Sequence, residues 1–300
     1  MVQLKITRIM PTTLKTTSFF TILLVLSIFF TACEEVPPFI DFSAGALSDT
    51  TYLTTDIPAA QEKSVVIEEF TGVKCVNCPA GHEAIAAIVN TFGERVIPIG
   101  IHATILAEPY DESLEDYRTE LGSELSMTLQ AVGLPAAAVD RVKFDDQTLI
   151  VVLNKDLWTS KVADQLENST PVNISFPDIQ FDAETKDLEI FVQLDYTQTI
   201  SDTHRLGITI TENNIVDLQL TPTGVEESYT QKHVFRAMLT PPSGTPIDAN
   251  LEAGRVVIKS FGLDGGIPSN WNPDNLEVVA FVLDAETGHI IHGASHHIVE

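Results

Sequence analysis

Cys75 and Cys78 form a C-x-x-C pair between a strand-like apolar run, Val65 to Phe70, and a helical pattern over Pro79 to Phe92. In that pattern Ile85, Ile88, Val89 and Phe92 share one face. A dithiol at a helix start has a defined chemistry. The helix N-terminus carries partial positive charge and free N–H donors, which stabilise a thiolate. Lys74, next to the first sulfur, acts in the same direction. The two cysteines can also close into a disulfide. As a mere staple it would contribute little, since a short loop removes little unfolded-chain entropy. Redox use and a static disulfide both remain open.

Other reactive side chains are placed by the topology that these runs imply. Parallel strands joined by a right-handed crossover end at the same sheet edge. The second apolar run, Val96 to Ile101, therefore sets His102 beside the C-x-x-C, at the edge where open α/β sheets bind ligands. His82 follows Cys78 by four residues, on the same helix face. Either histidine could equally be structural. Cys75, Cys78, His82 and His102 are four zinc-ligand types, but structural zinc draws on two short motifs and only one is present. No metal and no cofactor is expected. The late histidines His289, His292, His296 and His297 lack regular ligand spacing and read as exposed strand residues.

Residues 62–168 alternate strand and helix signals, as an α/β domain does. Pro98 argues that the second strand lies at an edge or carries a bulge. Residues 112–130 have helical composition, with Leu114, Tyr117, Leu121 and Leu125 spaced by three and four. Ala136 to Asp140 is a short apolar run, and Trp158, Val162 and Leu166 mark an amphipathic helix. Residues 171–300 change to strict alternation, clearest in Leu188 to Tyr196 and Leu206 to Ile210. Asp-Ala-Glu-Thr recurs at Asp182 to Thr185 and Asp284 to Thr287, each time between strand-like runs, and reads as a hairpin turn. An all-β sandwich of seven or eight strands is expected there. Trp271, in a loop, is either a partner anchor or packed on its own domain.

Residues 1–32 look like an export signal. Lys5, Arg8 and Lys15 precede an apolar stretch, Phe19 to Ala32, shorter than the roughly 20 residues of a membrane span. The stretch ends in Phe30-Thr31-Ala32-Cys33, which resembles a bacterial lipobox; an ordinary cleaved signal is the alternative. A lipid on Cys33 leaves the other two of the three cysteines as one pair. Pro37, Pro38 and Pro58 with polar residues between make 33–61 a tether. The net charge of −25 disfavours nucleic acid and anionic lipid surfaces as partners.

The α/β segment resembles a thioredoxin fold, on an ordered set of features: the strand, Glu69 six residues before Cys75, the C-x-x-C, the helix and a later Gly133-Leu134-Pro135. The resemblance implies a buried Glu69 that assists proton transfer, an exposed nucleophilic Cys75 and a buried resolving Cys78. It also implies a cis Pro135 facing the dithiol. Lys74 stands where an aromatic residue is usual, and Ala103 to Val132 forms a long insertion able to cover the site. Glu68 to His82, Gly133 to Arg141 and His233-Val234-Phe235-Arg236 together resemble a Bacteroidetes lipoprotein family, the twenty-eight-kilodalton outer-membrane protein type. That resemblance spans nearly all of the mature chain and implies a cell-envelope location, on the periplasmic side or the surface of the outer membrane.

The expected architecture is thus an α/β thioredoxin-like domain at 62–168 followed by an all-β sandwich domain at 171–300. The expected activity is thiol–disulfide exchange with an extracytoplasmic protein partner. Cys75 attacks, Cys78 resolves, and Glu69 or His102 moves protons. The alternative is a non-catalytic binding or adhesion lipoprotein with a structural disulfide. The mature N-terminus should be an acylated Cys33. Mass spectrometry of the membrane-bound protein tests this, and any residue retained before Cys33 refutes it.

Overall fold

The structure, a computed structural model, describes residues 49–299. The lipobox and Cys33 lie outside the described residues. Description begins with a strand, β1 (Thr50–Leu53), where a tether was expected. β1 pairs antiparallel with residues 255–258, from Thr50↔Ile258 to Leu53↔Arg255. The Asp49 carboxylate reaches Lys259 Nζ at 3.0 Å and accepts from the Ser260 amide. The Gln61 amide donates to Asn173 Oδ1 at 2.8 Å. The end of the tether is therefore stitched to the fold, because a β-prone Thr-Thr-Tyr-Leu run covers an otherwise open strand edge.

β2 (Val65–Thr71) is buried at every position, as a strand covered on both faces must be. α1 (Cys78–Phe92) crosses over to β3 (Val96–His102), which runs parallel to β2 from Val65↔Val96 to Thr71↔His102. β3 is interior to its sheet, not the edge strand that Pro98 suggested. The Gly100 amide donates away from β2, to His233 O at 2.7 Å, and two-residue alternation points the Pro98 nitrogen the same way. The strand on that side pairs with β3 at Gly100 alone, so the N–H that Pro98 lacks has no pairing to break.

Only part of the expected helix at 112–130 forms, as α2 (Glu120–Thr128). Thr119 caps it by accepting from the Gly122 amide at 2.8 Å. Upstream, the buried Asp217 carboxylate accepts from the Leu114 amide and the Tyr117 hydroxyl. Those bonds fix an irregular segment and leave Leu114 78% exposed. β4 (Ala136–Val139) returns antiparallel on β2, and α3 (Trp158–Leu166) follows. Trp158 Nε1 donates to Val152 O at 2.8 Å, beside the bridge that joins Val152 to Ala137.

The rest of the chain is all β. Its strands are β5 (Val172–Phe181), β6 (Leu188–Tyr196), β7 (His204–Glu212), β8 (Ile215–Thr221), β9 (Gly224–Gln231), β10 (Val234–Met238), β11 (Thr245–Pro246), β12 (Arg255–Gly262), β13 (Leu276–Asp284) and β14 (Ile290–His297). The two Asp-Ala-Glu-Thr segments are the β5–β6 and β13–β14 turns, where Asp182 Oδ1 and Asp284 Oδ1 accept from amides within each turn. β1, β12, β6 and β5 form one sheet, and β14-β13-β7-β10-β3-β2-β4 forms another, with β11 on β7. The larger sheet crosses the expected boundary at 168–171, because β10 pairs with both β7 and β3. Residues 49–299 belong to one compact unit.

Alternation assigns the cores. Val278, Ala280 and Val282 of β13, with Leu206 to Ile210 of β7, meet β5 and β6 in a sandwich core. On β2, β3 and β4 the same face carries α1 and α3, packed through Ile88, Trp158 and Val162. The opposite face, with Phe70, Ile99, Phe235 and Phe281, carries Leu125 of α2. Trp271 packs at the sandwich core beneath Arg236, 5.5 Å from its ring, which is the intramolecular one of its two readings. His292 is buried, not exposed as expected, and accepts from the Ser64 amide at 3.1 Å, because its strand neighbours the entry to β2.

Arg141 ties the two halves together. It donates to both Glu68 oxygens, at 2.8 and 2.7 Å, and to Pro242 O at 2.8 Å, with both side chains buried. Removing one partner strands a buried charge. Arg141→Met should cost about 3–5 kcal/mol in denaturant unfolding, and adding Glu68→Leu should recover most of it. Additive losses would contradict the pairing.

Candidate functional site

The Cys75–Cys78 disulfide closes at the junction of β2 and α1, with Cα atoms 5.4 Å apart. The Cys78 amide donates to Cys75 O at 3.1 Å, which turns the chain into the helix. Pro79 sits in the first helical turn, where its missing N–H costs little. Both sulfur-bearing residues are buried, Cys75 at 3% and Cys78 at 0% exposure. The expectation of an exposed Cys75 is therefore corrected. Only Val76 and Asn77, at the tip of the loop, are open to solvent.

Two covers account for this burial. One is a strap from the insertion after β3, as expected: the Lys74 amide donates to Leu106 O at 2.8 Å. Gly72 passes so close beneath it that a Cβ would strike the Leu106 carbonyl. The Lys74 ammonium lies 3.7 Å from Glu108 and 5.1 Å over the Tyr110 ring, so its charge is shared with the strap. The second cover is the β8–β9 hairpin. The Leu220 amide donates to Val73 O at 2.7 Å. The buried Gln219 side chain donates to Gly72 O and Cys75 O at 3.2 and 3.3 Å, and Gln231 donates to Gln219 Oε1 at 3.1 Å. Nothing near the C-x-x-C in sequence marked these glutamines, which lie more than 140 residues downstream.

Glu69 lies on the α1 side of β2, buried, with Oε1 lacking any hydrogen-bond partner. Burial pushes its carboxyl well above the usual range, which favours the neutral form. Gly81, in the first turns of α1, lets it approach: a Cβ there would meet both the Glu69 carboxylate and the Pro135 ring. A glycine in a helix costs roughly 0.5–1 kcal/mol against alanine, and this close approach is its physical reason. The Leu134–Pro135 bond is cis, and Pro135 packs on the first turns of the helix that carries Cys78.

His82 Nε2 lies 2.8 Å from Thr71 Oγ1 and 4.0 Å from Glu69 Oε1, and its Nδ1 lies 2.7 Å from the Tyr229 hydroxyl. Burial, then the nearby His233, lowers it to about 4. His102 ends β3 opposite Thr71, buried against the Tyr117 ring at 4.9 Å. Neither of its ring nitrogens makes a hydrogen bond of ordinary geometry, and burial chiefly lowers it to about 3. With the sulfurs bonded to each other and both His82 nitrogens engaged, these four residues do not offer a zinc-ligand set. Among the described residues no group of acidic, His and Cys side chains is arranged for a metal. A pocket of about 200 Å³ opens beside Glu69, lined also by His82, Tyr229, Lys232 and His233.

Buried neutral histidines make the fold acid-sensitive. His82, His233 and His292 are each lowered to about 4, and His102 to about 3, from 6.5. The unfolded chain binds the extra protons, so stability is fully present above about pH 6.5 and falls as pH drops toward 4. Each histidine contributes on the order of 1.4 kcal/mol per pH unit in that window. Glu69, raised, and Asp140, raised by burial to about 6, work the other way and offset part of this loss. Melting temperature should fall steeply from pH 6.5 to 5, less so in His102→Gln, and a flat profile would refute the burial of these groups.

The family model for outer membrane protein Omp28 matches residues 123–298. No curated protein sequence matches. Among solved structures, HBP35 of Porphyromonas gingivalis superposes with a TM-score of 0.63 at 17% identity, over 80% of this chain and 77% of that one. A protein of Agrobacterium tumefaciens gives 0.48 at 13% identity, over 80% and 97%. A domain of the outer membrane lipoprotein Omp28 from Porphyromonas gingivalis gives 0.30 at 14% identity, over 43% and 88%. At these identities HBP35 speaks for the fold alone. Among the described residues no helix is long and apolar enough to cross a membrane.

Proposed function

The chain belongs to the outer membrane protein Omp28 family, and from that premise we propose that it is an outer-membrane lipoprotein, anchored through Cys33, whose thioredoxin-like unit exchanges thiols and disulfides with an extracytoplasmic protein partner. The observation that carries this reading is the disulfide at the strand–helix junction, with buried Glu69 and Pro135 both packed against the first turns of the same helix. The arrangement β3-β2-β4, with α1 and α3 on one face and α2 on the other, supports the thioredoxin-like reading of 62–168. The β-sandwich of 171–300 then supplies the hairpin that covers the site.

In the exchange, a partner thiolate attacks Cys75, the S–S bond breaks, and the electron pair goes to Cys78. Glu69 protonates the leaving thiolate. Burial weakens this acid, so it releases its proton only when a more basic thiolate forms. His102, buried beside the Tyr117 ring, is a second proton carrier at the same sheet edge. Attack on a sulfur needs access, so the β8–β9 hairpin and the strap must first move aside. A specific observation favours the second reading, a binding lipoprotein with an idle disulfide: both cysteines are shielded by bonds that satisfy their loop.

The reduction potential of the pair separates the two. An exchanging site should lie at about −270 mV or above, and a structural one below roughly −300 mV. Gln219→Ala should speed reduction by dithiothreitol at least about tenfold by loosening the cover. A potential below the structural limit, with no partner trapped by Cys78→Ser in cells, would establish the binding reading.

A further inference from the structure

The proton that Glu69 gives up must be replaced, and Oε1, the oxygen nearer His82, is shut off from solvent. We propose that His82 and Tyr229 form a relay that returns a proton to Glu69 from the 200 Å³ pocket; this rests on the exchange reading of the disulfide. The geometry is a chain of polar atoms. Tyr229 lines the pocket, its hydroxyl is 2.7 Å from His82 Nδ1, and His82 Nε2 faces both Thr71 Oγ1, at 2.8 Å, and the unpartnered Glu69 Oε1, at 4.0 Å. With the hydrogen on Nε2, the Tyr229 hydroxyl donates to Nδ1 and the imidazole N–H donates to Thr71 Oγ1, from which it must turn to reach the carboxyl oxygen 4.0 Å away.

The balance is as follows. A dithiol partner loses its two thiol protons to solvent as its sulfurs attack. Its first thiolate breaks the Cys75–Cys78 bond; Cys78 keeps the electron pair and takes the Glu69 proton. Its second thiolate then closes the partner disulfide and releases Cys75, which is protonated from solvent. The partner is oxidised and the pair reduced by two electrons. The Glu69 carboxylate takes the Nε2 proton, Nδ1 takes the Tyr229 proton, and Tyr229 recovers one from the pocket, so no charge stays behind. Tyr229 comes from β9, so the C-terminal segment completes the acid–base apparatus of the N-terminal one. The ionisable groups facing His82 and Tyr229 are Glu69 on β2, Glu83 on α1, His102 on β3, Glu226 on β9, and Lys232 and His233 beyond it.

Two measurements test the relay. The first is exchange rate against pH with dithiothreitol. Tyr229→Phe keeps the ring but removes the hydroxyl, and should slow exchange about tenfold near neutral pH. If it leaves the rate unchanged or raises it, the hydroxyl is only a latch on the hairpin and the relay is overturned. The second needs no redox step: carbon NMR of the Glu69 carboxyl in the oxidised protein. His82→Leu should weaken the Glu69 acid constant about tenfold, and Tyr229→Phe should shift it in the same direction, which serves if His82→Leu fails to fold. An unchanged acid constant overturns the relay. A shifted constant in a protein whose wild-type disulfide resists dithiothreitol would keep the His82–Glu69 coupling and reject the exchange reading.

Discussion

The Gly100 amide bonded to His233 O at 2.7 Å is the contact on which the architecture turns. β3 is buried at every position, so its second edge needs a partner for its polar groups. β10 supplies it, and β10 is already paired with β7. One sheet therefore runs through both halves of the chain. Gly100 has room for this approach because a Cβ would lie only 3.3 Å from the His233 carbonyl oxygen. The chain between β7 and β10 is the β8–β9 hairpin, so the pairing that joins the halves also delivers the cover of the disulfide.

Adjacent carboxylates on β2 show how strand alternation sets chemistry. Glu68 and Glu69 point to opposite faces. On one face Arg141 meets Glu68 with two hydrogen bonds and holds a structural ion pair. On the other, Glu69 lies against Gly81, 4.0 Å from His82, and burial raises its carboxyl well above the usual range. The same residue type forms an ion pair in one place and a carboxyl biased toward its neutral form in the next. The difference lies in what the sheet packs against.

Occlusion and reactivity are balanced at the disulfide. The helix start favours a thiolate, yet Lys74 shares its charge with Glu108 and both sulfurs are shut away. The bonds that shut them away run mostly to backbone carbonyls of the loop, from Gln219 and from the Leu220 amide.

Local order was legible in the sequence wherever one face of one element decided the outcome. Periodicity located β2, α1, β3, β4, α3 and the alternating strands, because burial on one side fixes which positions are apolar. The Asp-Ala-Glu-Thr turns were legible because their hydrogen bonds are closed within a few residues. The C-x-x-C, Glu69 and Pro135 were legible as an ordered motif, and the structure brings Glu69 and Pro135 to the same helical turns. The tertiary structure alone decided what lay outside any local pattern. Pro98 could sit in an interior strand because β10 pairs only at Gly100. Half of the predicted helix at 112–130 gave way to a buried Asp217 more than 100 residues distant. His82, exposed on no pattern of its own, gained Tyr229, and Cys75 lost its access to Gln219. These outcomes depend on side chains brought together by sheet pairing across the chain, and no spacing along the sequence encodes which distant strand will fill an open edge.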